Sequence, residues 1–159
     1  MNPQAPPVAR RHLIALASLA CLPLTAPWPG VQAVFHVFLV LGLAPGFPSP
    51  LTGMLWACAA GWVAEGSLRL HPHMGATPLA GMISCLLAYA LLIQWPPHSR
   101  TPFWGRQAAL AFLHWILANL LMRAASGPHA WGWQWLWTVG AVPLWATLAL
   151  RLHEPIHRR

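Results

Sequence analysis

The sequence predicts an all-α polytopic membrane protein, a single integral domain over residues 1–159 with about six transmembrane helices. Hydrophobic residues make up 57% of the 159 and charged residues only 7%, against roughly 25% charged in a soluble domain. Mean hydropathy is +0.53, and proline and glycine cut the apolar sequence into blocks of near-span length. There is no Lys and no Asp; the ionisable complement is nine Arg, nine His and the two acids Glu65 and Glu154. A soluble globule of this composition has no surface to offer water, and disorder requires low hydrophobicity. The net charge of +7 does not point to nucleic acid, because the arginines are scattered at the ends of apolar runs rather than gathered on one face.

The first span is expected at 12–26, closed by Pro27-Trp28-Pro29-Gly30. Arg10-Arg11 before it resembles the start of a secretion signal, but Leu24-Thr25-Ala26 is a poor cleavage site, so an uncleaved span is expected. The second, 31–44, ends at Pro45-Gly46-Phe47-Pro48; both are short and require tilt or interfacial help. The remaining spans are expected at 51–66, 75–94, 107–122 and 131–152. Pro143 should kink the last. Cys21, Cys58 and Cys85 lie apart within apolar runs and read as small hydrophobes.

Six spans put both termini on one side. Arg10, Arg11, Arg100, Arg106, Arg151, Arg158 and Arg159 are then cytoplasmic and Arg69 and Arg123 lie outside. Seven against two satisfies the positive-inside rule.

Few residues offer chemistry. Glu65 continues a row of small residues, Gly53, Ala57 and Gly61, that recur every four positions and form a close-packing face. It either orients a neighbouring helix or partner, or pairs at the interface with Arg69, four residues on. Asn119 either bonds across a helix interface or is satisfied locally. His71 and His73 flank Pro72, but no further ligands of recognised spacing accompany them. A haem between His36 and His114 has only two histidines on separate spans behind it. A Ser84–His114 dyad can be drawn, yet Ser84 lacks an exposed nucleophile context and reads as packing glue. The expectation is a non-catalytic protein without metal or cofactor. Trp131, Trp133, Trp135 and Trp137 sweep around a helix and read as interfacial anchors, and the tail from Arg151 to Arg159 as a cytoplasmic anchor.

Taken together, the size, the short spans around Pro27-Trp28-Pro29, the run Gly53-x7-Gly61-x3-Glu65-Gly66, Gly75 and Leu79, Ala88-Tyr89, Asn119, and Pro143 before a basic tail resemble the rod-shape-determining MreD family. The family usually has Asp where Glu65 stands, and the segment from Leu68 to His73 is longer than its pattern. The resemblance implies a bacterial inner-membrane scaffold of the cell-elongation complex. Such a scaffold binds MreC and helps couple MreB filaments to peptidoglycan synthesis by RodA and its transpeptidase. It also implies a fold similar to the substrate-binding S components of energy-coupling-factor transporters. That similarity supplies the alternative, a small-molecule-binding transporter subunit, for which convergent polar groups are few.

Overall fold

The computed structural model describes residues 8–68, 75–95, 100–126 and 134–153, all within or between helices. In chain order these are α1 (Val8–Leu24), α2 (Pro29–Val37), α3 (Pro50–Leu68), α4 (Ala76–Gln94), α5 (Arg100–Ser126), α6 (Gln134–Gly140) and α7 (Val142–His153). No strand occurs among the described residues.

Proline and glycine place most of the boundaries. Pro29 occupies the first turn of α2, where a missing N–H leaves no bond unmade. Beyond Val37 the helix widens into a π-helical turn, Phe38–Leu43, and then tightens into a 3₁₀ turn, Ala44–Gly46, around Pro45. Gly75 takes φ +105°, a left-handed conformation suited to glycine, and turns the chain into α4. The expected kink at Pro143 is a break: the last span divides into α6 and α7 around Ala141, two residues before the proline. The carbonyl of Ala141 accepts from both Leu144 and Trp145 at 3.0 and 3.1 Å.

The second pass is the centre of the molecule. Leu39, Val40, Leu41, Gly42 and Leu43 of the π-helical turn are all buried, and that turn touches α1, α3, α4, α5 and α7. Phe47, Phe103, Leu22 and Trp145 complete the packed interior. The outside is apolar as well, with Leu13, Leu16, Leu55, Ile83, Leu86, Leu113, Leu120 and Leu144 exposed. Gln32, His36, Glu65, Ser84, Gln107, His114 and Asn119 are instead buried. An apolar exterior around an interior that holds the polar groups is what a bilayer selects.

Three helices are long and apolar enough to cross a membrane: Pro29–Gly46, Ala76–Gln94 and Pro102–Ala124. They correspond to the second, fourth and fifth expected spans: Ala76–Gln94 lies within 75–94, while Pro29–Gly46 and Pro102–Ala124 extend beyond 31–44 and 107–122 at both ends.

Hydrogen bonds fix which element ends meet. Arg11, in the first turns of α1, donates to the carbonyls of Gly46 and Leu152, so the start of α1, the end of the second pass and the end of α7 share one end of the bundle. At the other end Gln32 donates to the Leu22 carbonyl at 3.0 Å and to the Ser67 hydroxyl at 2.6 Å.

Candidate functional site

The row Gly53, Ala57, Gly61 and Glu65 forms the seam between α3 and its neighbours. A Cβ on Gly61 would collide with the backbone of Pro78 and come within 2.8 Å of the Thr77 carbonyl carbon. A Cβ on Gly53 would collide with the Ala44 carbonyl, and one on Gly81 of α4 would come within 3.0 Å of the Ala57 carbonyl oxygen. The two backbones therefore touch, and only hydrogen fits between them. Glu65 ends the row. Its carboxylate is 2% exposed and accepts the backbone N–H of Gly75 and of Thr77, each at 2.6 Å. These are donors at the start of α4 that no turn of that helix can satisfy, and an anion there also meets the positive end of the helix dipole. The row thus packs within the molecule. Glu65 therefore orients a neighbouring helix, the first of its two readings; the alternative pairing with Arg69 lies outside the described residues.

A second polar group occupies the bundle centre. The His114 Nδ1 lies 3.0 Å from the Ser84 hydroxyl, and the rings of His36 and His114 stack with centroids 5.3 Å apart and planes 30° from parallel. All three residues are buried. Ser84 thus bonds a specific partner rather than serving as packing glue alone. Neither ring nitrogen of His36 has a hydrogen-bond partner; the Ala60 carbonyl lies beside it but outside hydrogen-bond geometry. Stacked rings present their faces to each other rather than two nitrogen lone pairs to an iron between them, so the pair does not fit haem. No trio of His, Cys, Asp or Glu able to hold a metal occurs among the described residues.

No family model, characterised protein or solved structure matches the chain.

The other expected residues scatter. Asn119 donates to the Trp115 carbonyl one turn back at 2.8 Å, the local alternative. Trp137 is exposed, with its indole packed over Gly30 at the start of α2. Trp135 lies in α6. His71, His73, Trp131 and Trp133 lie outside the described residues.

Sequence reasoning missed the ties made by Arg11, by Gln32 with Ser67, and by Trp56, whose indole N–H donates to His12 Nδ1 at 3.1 Å. For Gln32 the available signal was a polar residue inside an apolar run, whereas Arg11, His12 and Ser67 stand at the ends of such runs, where polar residues are ordinary. The partners themselves were not legible, because they lie 35 or more residues away in the chain.

Proposed function

We propose that the protein is a non-catalytic bacterial inner-membrane scaffold of the elongation complex, crossing the bilayer six times with both termini cytoplasmic. One observation carries the scaffold reading. The buried polar groups Arg11, Gln32, Glu65, Ser84 and His114 bond to other parts of this same chain. Such internal ties hold a helical surface in one shape for a partner to read. The meeting of Arg11 with Gly46 and Leu152 supports the even number of crossings. The MreD-like sequence pattern supports MreC as the direct partner, with RodA, its transpeptidase and MreB reached through the complex, although Gly61 and Glu65 themselves are taken up by the internal α3–α4 seam.

The test is co-purification. Tagged protein extracted from its own membranes in mild detergent should bring MreC with it, and depletion should turn rod-shaped cells round. Recovery without MreC, together with normal cell shape on depletion, would end this reading.

A second reading, a small-molecule-binding subunit of an energy-coupling-factor-type transporter, draws on the two unpartnered nitrogens of His36. It has a different signature: the same purification would recover a transporter ATPase.

A further inference from the structure

At the end of the bundle where Arg11 grips Gly46 and Leu152, the next residue ties α1 to α3. The His12 ring packs against Phe47 and Trp56, with centroids 4.9 and 5.9 Å away and planes tilted by 47° and 46°. Trp56 Nε1 lies 3.1 Å from His12 Nδ1. An indole nitrogen only donates, so Nδ1 is the bare, accepting nitrogen and the proton of the neutral ring sits on Nε2. That bond exists for the neutral ring alone. A protonated imidazole carries N–H groups on both nitrogens, and two donors cannot bond each other. His12 is half-buried, with Arg10 and Leu13 exposed beside it in the chain. Among the described residues, the other charged or titratable groups on the surrounding elements are engaged or placed elsewhere. Arg11 holds its two carbonyls, Glu65 of α3 caps α4, and His36 of α2 stacks on His114. Cys21 lies toward the far end of α1, Cys58 two residues beyond Trp56, and Arg10 and Arg151 are exposed, with His153 ending α7. What His12 meets directly is Phe47 and Trp56, both uncharged.

From this geometry we infer that His12 and Trp56 form a proton-operated latch between α1 and α3. While His12 is neutral, its Nδ1 holds the Trp56 indole N–H. A proton from the water at that end of the bundle adds to Nδ1, turns the acceptor into a donor and releases the indole. Imidazole is the side chain that changes charge between about pH 5 and 8. The imidazolium stays seated, because the face of Phe47 attracts a cation. The latch thus exchanges a directional N–H···N bond for a cation–π contact, and what turns away is Trp56 on α3. It needs only contacts within this chain and no partner in cell elongation.

The latch is tested on the full-length protein, labelled with nitrogen-15 in neutral detergent, by following its indole and imidazole resonances from about pH 8 down to about pH 5. Trp56→Phe identifies the Trp56 indole signal by its loss. At the alkaline end that signal should lie downfield, as a hydrogen-bonded N–H does. It should move upfield in one step as the pH falls, in register with the protonation of His12 Nδ1. His12→Gln supplies a carbonyl oxygen that accepts the same bond and does not titrate, so the Trp56 signal should stay downfield throughout. His12→Phe offers no acceptor, and the signal should rest near the parent's acid position at every pH. Each variant by itself removes the pH dependence, so either one suffices if the other does not fold. With neither folded, the parent's Nδ1 and indole signals moving in register decide the matter. A Trp56 signal that does not move in the parent, one that moves equally in a folded His12→Gln or His12→Phe protein, or a His12 Nδ1 already protonated at the alkaline end would overturn the latch. None of these readouts depends on MreC.

Discussion

The Glu65 carboxylate accepts the backbone N–H of Thr77 at 2.6 Å, twelve residues along the chain, and a second bond from Gly75 closes the same turn. The end of α3 therefore caps the start of α4, at the point where Gly61 lets the two backbones touch.

Removing that cap should destabilise the protein. Glu65→Ala leaves two half-buried donors without their acceptor and is expected to lower unfolding stability by about 2 kcal/mol, while Glu65→Gln, which keeps the shape but loses the charge, should lower it by about 1 kcal/mol. Denaturant titration followed by tryptophan emission measures both. An Ala variant as stable as the parent would show that the cap contributes nothing.

Two glycines of α3 should respond in opposite ways. Gly61→Leu drives a side chain into the backbone of Thr77 and Pro78 and should sharply reduce accumulation in the membrane. Gly66 has nothing within 4 Å of its Cβ position, so Gly66→Ala should be neutral or stabilising by about 0.5–1 kcal/mol through backbone entropy. Normal accumulation of Gly61→Leu would contradict the tight seam.

At the bundle centre, Ser84→Ala removes the partner of His114 Nδ1 and should lower stability by about 1 kcal/mol. His36→Leu removes two nitrogens that have no partner, and replacing unsatisfied polar atoms by apolar ones should leave stability unchanged or raise it. Strong destabilisation by His36→Leu would mean that its nitrogens are satisfied by a bound molecule.

Topology is checked independently by reporter fusions. Fusions at residues 48 and 100 and at the C-terminus should read as cytoplasmic, and those at 30, 71 and 128 as periplasmic. With the N-terminus cytoplasmic, a periplasmic C-terminus would be incompatible with six crossings.

Composition alone determined the class of this protein. With 7% charged residues no water-facing surface can be built, and the hydropathy blocks placed α3 and α4 within a few residues because proline and glycine end helices by local sterics. The four-residue spacing of Gly53, Ala57 and Gly61 likewise marked a close-packing face, since helical periodicity is local. Which helix meets that face is not local. The α3–α4 contact, the turn of Glu65 toward Gly75 and Thr77, the stacking of His36 on His114 and the grip of Arg11 on Gly46 and Leu152 depend on how separate passes dock. The π-helical turn at Phe38–Leu43 had no sequence signal of its own. Tertiary structure decided these pairings, because in a bundle with few polar groups each one settles against whichever distant backbone or side chain can satisfy it.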